Sequence, residues 1–290
     1  MNLHRIQNDL IRIAVSGSGA ELKSLTGRSG REWMWQASPE FWPRTAPVLF
    51  PVVGKLNDNS FRYKGVSYPL PQHGFARDRE FILTASGNNH LLFSLESDAA
   101  SFRHFPFHFK LEIGYRISGC RLEVSWTVKN HSEGSMPFSI GGHPGFSLPG
   151  WPAKKWYLVF EREEVLASHP LKDGLLDSGE KRLIPQEEGR LEITRDLFLQ
   201  DALVFSGLGS SHVSLSSQEQ EEMLRFHFAG FPFLGIWSRP GAPFVCIEPW
   251  HGHADPPGFK GEISEKPGII LLEPEGVFQS SYAIELIAAG

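Results

Sequence analysis

The sequence predicts an all-β protein, a large antiparallel β-sandwich. Short runs of apolar residues alternate with turn residues along the chain, as where residues 10–15 are followed by Gly17-Ser18-Gly19, and this spacing is typical of β-hairpins. Strand-like and helix-like segments do not alternate, which disfavours the parallel α/β folds. The 29 glycines and 21 prolines are more than long helices tolerate.

The clearest predicted element is a hairpin of residues 107–117 and 121–128, joined at Ser118-Gly119-Cys120. Apolar residues occupy every second position of both runs, so one face of the pair is expected to be buried. The strongest helical candidate, residues 218–222, is too short for more than a single turn or a loop. Roughly fifteen or more strands are expected in total; further candidates are 21–25, 61–68, 156–161, 213–217, 223–228, 234–238, 244–248, 268–273 and 280–287.

Composition indicates one globular domain, residues 1–290, that binds neither nucleic acid nor membranes. The net charge is -5, and the lysines and arginines are scattered, so no basic patch is available for a phosphate backbone. Residues 1–8 lack the apolar stretch of a secretion signal, and no run of about 18 apolar residues occurs. A cytoplasmic location is therefore expected. Cys120 and Cys246 form no Cys-x-x-Cys pattern, and both are expected to be buried thiols.

Three short motifs place a histidine or a glutamate among glycine, proline and aromatic residues. Imidazole and carboxylate suit proton transfer near neutral pH, and the glycines and prolines beside them fix unusual backbone geometry. The motifs predict an acid and a base that line an aromatic pocket. They are His73-Gly74-Phe75-Ala76-Arg77, Gly142-His143-Pro144-Gly145-Phe146 and Cys246-Ile247-Glu248-Pro249-Trp250.

The residues of these motifs differ in how strongly they point to function. His143 lies in a constrained turn, which favours a functional role over a structural one. Glu248 ends an apolar run, so burial should raise its pKa toward the value that a general base requires. His73 is equally compatible with a structural role. Arg77 is suited either to pairing with nearby acids or to binding hydroxyls or a phosphate, and Asp201 is unremarkable by itself.

A metal site is another interpretation to weigh. His251, His253 and Asp255 are spaced at i, i+2 and i+4, which on a strand places them on one face. A solvated loop is favoured over a metal site, because two prolines follow and no distant further ligand is evident.

Several tryptophans lie near predicted loops, where an indole could stack on the C–H face of a sugar, although tryptophans are more often buried in the core. These are Trp33, Trp35, Trp42, Trp237 and Trp250.

Several common catalytic motifs are absent from the sequence. It contains no glycine-rich phosphate loop, no Gly-x-Ser-x-Gly elbow and no dinucleotide fingerprint. Hydrolysis by an activated serine is unsupported, and a histidine–glutamate pair fits glycoside hydrolysis less well than two carboxylates would.

Taken together, the motifs resemble the aldose 1-epimerase (galactose mutarotase) family, most closely its LacX-like branch. The similarity extends nearly end to end. Besides the three motifs, it includes residues 20–25, Trp33, residues 47–57, the Asp201 segment and the 266–276 strand pair. The resemblance implies a β-supersandwich, an aldohexose as the small-molecule partner, and interconversion of its α and β anomers without a cofactor.

By resemblance, His143 is the acid and Glu248 the base, while His73 and Asp201 hold the sugar. Trp250 and Phe146 are expected to offer a stacking face. Arg77 also occurs in the hexose-6-phosphate mutarotase branch, so a phosphorylated sugar is an open alternative.

The chain departs from the galactose mutarotases proper in two places. An upstream Asn-Arg pair is missing where this chain has Lys55 and Asn57, and His-x-Tyr-Phe is replaced by His-Pro-Gly-Phe. Galactose specificity is therefore not implied. A non-catalytic sugar-binding or sugar-sensing protein on the same scaffold is a further alternative, because fold does not determine function. The oligomeric state is not readable from the sequence.

Overall fold

The computed structural model describes residues 3–177 and 179–287 and confirms the all-β prediction. Strands account for 48% of the residues and helices for 6%. Within the described residues, the strands in chain order are β1 (Leu3–Gln7), β2 (Ile11–Ser16), β3 (Leu22–Gly27), β4 (Val48–Leu49), β5 (Ser60–Tyr63), β6 (Val66–Pro69), β7 (Ile82–Ser86), β8 (His90–Glu96), β9 (Phe109–Ser118), β10 (Arg121–Asn130), β11 (Met136–Phe138), β12 (Ile140–Gly142) and β13 (Gly145–Ser147).

The second half of the chain is built in the same way from short strands. They are β14 (Trp156–Phe160), β15 (Ala167–Ser168), β16 (Leu171–Lys172), β17 (Leu175–Leu176), β18 (Arg182–Leu183), β19 (Arg190–Glu192), β20 (Leu203–Ser206), β21 (His212–Ser217), β22 (Gln220–His227), β23 (Phe233–Trp237), β24 (Phe244–His251), β25 (Ile270–Leu272) and β26 (Val277–Leu286).

In the part of the chain that the structure describes, helical structure is limited to single turns. One α-helical turn, α1 (Ala99–Phe102), is capped by the Asp98 side chain, which accepts a hydrogen bond from the Ser101 amide. The remaining turns are 3₁₀ helices at Asn57–Asn59, Ala76–Asp78, Asp196–Phe198 and Ile263–Glu265. No helix within residues 3–177 and 179–287 is long and apolar enough to cross a membrane.

Two large antiparallel sheets form the body of the molecule. The nine-stranded sheet has the order β19-β14-β21-β22-β26-β10-β9-β8-β7, and the six-stranded sheet has the order β20-β23-β24-β12-β4, with β13 also paired to β24. Rings from both sheets meet in one core; Phe146 of β13, for example, contacts Phe226 of β22 edge-on, with 6.1 Å between ring centroids. This is the layered packing of a β-sandwich.

The predicted hairpin is confirmed as β9 and β10, which are antiparallel and paired from Arg121 opposite Ser118 to Asn130 opposite Phe109. Alternate residues of both strands are buried, because one face of the pair covers the core. The short candidate at residues 218–222 forms no helix: these residues form the turn between β21 and β22 and the first part of β22. The tight antiparallel pairing of the two strands leaves no room for a helix between them.

Candidate active site

Strand β24 carries the centre of the site on one of its two faces. Successive side chains of a strand point to opposite sides of the sheet. Val245 and Ile247 therefore pack in the main core between the sheets, whereas Cys246, Glu248 and Trp250 face the other way. The outer face of the six-stranded sheet consequently forms the floor of the site.

Strand pairing brings His143 next to Glu248. On one side of His143, Gly141 pairs with Trp250, and on the other side Gly145 pairs with Cys246. The same register, continued across the interruption at His143 and Pro144, places His143 directly opposite Glu248. Directly opposed residues of an antiparallel pair lie on the same face with their side chains in contact. The pairing of β12 and β13 with β24 thus brings together two residues that are 105 positions apart in sequence.

The two side chains are in direct contact, with His143 Nε2 3.3 Å from Glu248 Oε2. Both are buried: His143 is 8% exposed and Glu248 1%. Burial raises the pKa of Glu248 well above its usual 4.5. The Trp250 indole N–H approaches the carboxyl without forming a hydrogen bond and acts to lower this pKa. The Asp201 carboxylate acts to raise it further.

Burial also lowers the pKa of His143, to about 3, and the positive charges of Arg77 and Arg44 act in the same direction. The imidazole is therefore neutral, and the carboxyl is protonated up to its raised pKa. A group that is poised to give a proton thus touches a group that is able to take one.

His73 reaches the same cavity from a different loop. Its amide donates to the Gly54 carbonyl at 2.9 Å, and the Gly54 amide donates back to His73 Nδ1 at 3.1 Å. The loop is tight because His73 and Gly74 both have positive φ angles, of 66° and 68°. A Cβ at Gly74 would lie 2.2 Å from the Phe50 carbonyl oxygen, so only glycine fits there.

The hydrogen bond from Gly54 fixes the tautomer of His73. Nδ1 accepts a hydrogen bond, so the proton of the neutral ring resides on Nε2. The ring stays neutral because burial, and after it the neighbouring His143, Arg77 and Arg44, hold its pKa well below 6.5. His73 therefore presents its Nε2–H at the cavity wall, 3.2 Å from the side-chain amide of Gln72 and suited to binding a hydroxyl or ring oxygen.

Arg77 and Asp201 lie on the cavity wall and differ in burial. Arg77 Nη2 donates to the Gln72 carbonyl at 2.6 Å, while its Nε is buried without a hydrogen bond and lies 3.8 Å from Asp78. Burial and the neighbouring Arg44 lower the Arg77 pKa to about 10. Asp201 is exposed, adopts a φ of 75°, and accepts a hydrogen bond from the Ala202 amide at 2.7 Å.

These groups surround a cavity of about 280 Å³. This is close to the lower end of the range for small-molecule sites. The β16–β17 hairpin forms one wall and is held by a hydrogen bond from Lys55 Nζ to the Asp173 carbonyl at 2.9 Å. The lining residues are Trp42, Gly54, Gln72, His73, Arg77, His143, Leu171, Gly174, Leu176, Asp201, Ala202, Trp237, Glu248, Trp250 and Ala254.

The expectation that Phe146 offers a stacking face is wrong. Phe146 is 0% exposed and belongs to the main core. In β13 it has the opposite orientation to Gly145, which faces the aromatic residues beneath the cavity. Among the tryptophans singled out from the sequence, Trp42, Trp237 and Trp250 line the cavity, whereas Trp33 and Trp35 are buried elsewhere.

The proposed metal ligands His251, His253 and Asp255 do not converge. His251 Nε2 is 2.8 Å from Ser280 Oγ on the core side of β24, and His253 Nδ1 lies 2.7 Å from the Ala254 carbonyl. Asp255 accepts hydrogen bonds from the Asn57 amide and side chain at 2.9 and 3.1 Å. Their spacing fails as a metal pattern because β24 ends at His251.

Another group with metal-ligand chemistry occurs within the described part of the chain. Ligand atoms of His143, Cys246 and Glu248 lie within 4.8 Å of one another. Burial and the Glu248 charge, however, raise the pKa of the Cys246 thiol well above 9.0, so it remains protonated. A metal ion bound here would have to displace that thiol proton at a buried site.

Sequence reasoning missed the contribution of the β16–β17 hairpin to the site. Leu171, Gly174 and Leu176 lie in a segment without a chemically distinctive motif. The turn residues Asp173 and Gly174, both with positive φ angles, were the available signal for a hairpin. Nothing local indicates that this hairpin folds over the cavity.

Comparison with known proteins identifies the family of the chain. The family model "Aldose 1-epimerase" matches residues 2–268. The chain belongs to the aldose 1-epimerase family. Within this family, it is 30% identical over 295 residues to Protein LacX (plasmid) of Lactococcus lactis subsp. lactis, and the match covers 97% of this chain and 98% of that protein.

Solved structures of similar proteins share the fold of this family member over its whole length. A galactose mutarotase related enzyme from Lactobacillus acidophilus superposes with a TM-score of 0.94 at 34% identity, covering 99% of this chain and 98% of the other. A galactose mutarotase-like protein from Lactobacillus casei gives a TM-score of 0.92 at 29% identity, covering 98% and 100%. The predicted supersandwich is thereby confirmed.

Proposed function

We propose that this protein is a mutarotase that interconverts the α and β anomers of a hexose, with Glu248 as the base and His143 as the acid. The observation that carries the proposal is the 3.3 Å contact between His143 Nε2 and Glu248 Oε2 at the cavity wall. Ring opening of a cyclic sugar requires proton removal from O1 and proton delivery to the ring oxygen. Both oxygens are bonded to C1, and two adjacent side chains match that spacing.

The number of protons held by Glu248 and His143 together is the same before and after the reaction. Glu248 and His143 together hold one dissociable proton, and its transfer across their contact gives carboxylate and imidazolium. The carboxylate then takes the O1 proton while the imidazolium protonates the ring oxygen, so the C1–ring oxygen bond breaks and an aldehyde forms. After rotation about C1–C2, reclosure on the other face reverses both transfers and restores the pair.

The other polar side chains of the cavity are positioned to hold the sugar. His73 offers its Nε2–H, and the exposed Asp201 carboxylate can accept hydrogen bonds from hydroxyl groups. The indole of Trp250 lies beside Glu248 and provides an apolar surface for the C–H face of the sugar.

Relaxation of freshly dissolved α-D-glucose and α-D-galactose, followed by polarimetry or NMR, tests the proposal. Wild type should accelerate anomer exchange, and Glu248→Gln and His143→Asn should each lower kcat by a factor of about 100 to 10,000. Exposed Glu40→Gln serves as the matched control and should retain full activity. Sugar binding by folded wild type without faster exchange would instead establish a non-catalytic sugar-binding protein.

A second candidate substrate, a phosphorylated hexose, is favoured by the environment of Arg77. Its guanidinium lines the cavity with Nε buried and free of hydrogen bonds, and Arg44 lies close enough to depress its pKa. Asp78 is shared by both arginines, at 2.8 Å from Arg44 and 3.8 Å from Arg77. Two guanidinium groups with one shared carboxylate favour a substrate that carries an anionic group.

Glucose-6-phosphate distinguishes the two substrates. If the anion binds Arg77, kcat/KM for the phosphorylated sugar exceeds that for glucose, and Arg77→Ala removes this preference while the exposed control Arg116→Ala keeps it. Equal kcat/KM values for both sugars in wild type would leave the free hexose as the substrate.

A further inference from the structure

The indole of Trp42 covers one face of the His143 imidazole. The two rings are stacked, with centroids 4.7 Å apart and an interplanar angle of 27°. The other rings near His143 are nearly perpendicular to it: His73 at 5.8 Å and 83°, and Trp237 at 5.6 Å and 80°. Among these three aromatic neighbours, only Trp42 is stacked face to face on the imidazole.

Trp42 is held firmly in this position. Its amide donates to the Ser38 carbonyl at 2.9 Å, and its carbonyl accepts a hydrogen bond from Trp35 Nε1, also at 2.9 Å. Its ring also lies parallel to that of Phe244, with centroids 5.7 Å apart and an angle of 14°. These contacts fix the indole before any substrate binds.

The Gly145 position provides the space for this indole. A Cβ there would lie 3.1 Å from Trp42 Cζ3 and 3.3 Å from Trp35 Cβ. A larger residue two positions after His143 would therefore press on Trp42 and require its ring to shift by a few tenths of an ångström. The His-Pro-Gly sequence thus has a steric role, because its glycine admits the ring that stacks on its histidine.

Protonated His143 has few partners other than this ring. Its Nδ1 is buried without a hydrogen bond, and the nearby guanidinium groups of Arg77 and Arg44 repel a positive charge. The Glu248 carboxylate, 3.3 Å away, is its other stabilising neighbour, and it loses its negative charge in the same step in which His143 gives up its proton. The π face of an aromatic ring attracts a cation, most strongly for tryptophan and within about 6 Å of the centroid.

We propose that Trp42 is a positioning residue that stabilises the protonated form of His143 through its indole face and so accelerates ring opening. This inference rests on the proposed function, in which His143 carries a proton to the ring oxygen. A desolvated cation–π contact of this kind corresponds to roughly a tenfold to thirtyfold change in kcat.

Fluorinated tryptophan tests the electrostatic role without changing the shape of the site. Each fluorine withdraws electron density from the ring face and weakens its attraction for a cation. Log kcat of wild-type protein labelled with mono-, di- and trifluorotryptophan should therefore fall in steps with fluorine number. All 8 tryptophans are labelled in this way, and Trp237 and Trp250 also line the cavity. The same series is therefore measured in Trp42→Phe, where log kcat should fall less steeply with fluorine number than in wild type.

Substitutions provide a second readout. Trp42→Leu should lower kcat by about tenfold to thirtyfold and Trp42→Phe by less, because phenylalanine retains a weaker π face. Phe41→Leu is the matched control: Phe41 lies in the same aromatic cluster, contacts Trp35 rather than His143, and should leave kcat unchanged.

The inference is overturned if kcat is insensitive to fluorination, or if Trp42→Phe shows the same dependence as wild type. Full activity in both Glu248→Gln and His143→Asn would instead overturn the proposed function, so the two failures are distinguishable.

Discussion

At the scale of single residues, the catalytic proposal depends on two buried groups whose pKa values have shifted in opposite directions. Burial lowers the pKa of His143 to about 3 and raises that of Glu248 well above 4.5. The pair therefore holds one dissociable proton between these two limits, which is the protonation state that ring opening requires. Groups with ordinary pKa values would hold that state only between about 4.5 and 6.5.

The pH dependence of kcat/KM should reflect these shifts. After subtraction of the uncatalysed rate, we expect a plateau that begins below pH 5 and ends where Glu248 loses its proton, at a pH well above 4.5. Stopped-flow polarimetry across pH 4.5 to 9 measures the profile. A bell centred near pH 5.5 would show that the pair titrates with ordinary pKa values and would contradict the shifts.

Glu248 should also reduce the stability of the fold. Its folded pKa is raised, so between pH 4.5 and that value the folded state binds more protons than the unfolded state, and the free energy of unfolding decreases as pH rises. Glu248→Gln removes this effect and should be more stable than wild type at pH 8, by roughly 1 to 3 kcal/mol.

Urea unfolding at pH 5 and pH 8 measures that difference, which should be smaller at pH 5. Exposed Glu40→Gln should match wild type at both pH values. A Glu248→Gln variant that is less stable than wild type at pH 8 would indicate that the carboxyl is well stabilised in the fold.

At the scale of elements, the pairing of β24 with β12 and β13 creates the site. The sequence indicated β24 by its apolar run, and it indicated His143 and Glu248 by their motifs. It did not contain the register that places them opposite each other, because pairing across 105 residues depends on the whole sheet. Phe146 was misassigned for a related reason: which face a residue occupies depends on where its strand begins.

The β16–β17 hairpin should contribute to substrate binding more than to chemistry. Leu171 lines the cavity from this hairpin and packs against the apolar cluster that contains Trp250. Truncation to alanine removes apolar contact with the sugar, so KM should rise about fivefold for each 1 kcal/mol lost, while kcat stays within about twofold.

Steady-state kinetics of Leu171→Ala, with Leu183→Ala as the control, measures this effect. Leu183 lies in nearby β18 and is 68% exposed, so its loss should change neither parameter. A large fall in kcat for Leu171→Ala would place the hairpin in the catalytic step instead.

At the scale of the whole molecule, several histidines are enclosed in a neutral state. Burial lowers the pKa of His251 and of His253 to about 4 and that of His143 to about 3. His73 is lowered for the same principal reason. These residues lie on both faces of the six-stranded sheet, so their neutrality is a property of the packed sandwich as well as of the site.

This distribution predicts a fold that loses stability in mild acid. Between pH 6.5 and about 4, unfolded histidines are protonated while the buried ones stay neutral, so the unfolded state binds more protons and the free energy of unfolding falls with falling pH. Each excess proton corresponds to about 1.4 kcal/mol per pH unit. The single carboxyl of Glu248 acts in the opposite direction above pH 4.5 and is outnumbered.

Urea unfolding between pH 7 and pH 4.5 should therefore show a decrease of at least about 1 kcal/mol per pH unit. His251→Asn removes a histidine on the core side of β24. It should reduce the slope of the unfolding free energy against pH by up to the contribution of one proton, about 1.4 kcal/mol per pH unit, even if it also lowers stability at pH 7. The matched variant His131→Gln replaces a side chain that is 48% exposed and should preserve the slope. A free energy of unfolding that is constant over this range would mean that the buried histidines accept protons in the folded state. The assignment of a neutral imidazole to His143, on which the proposed proton transfer depends, would then be contradicted.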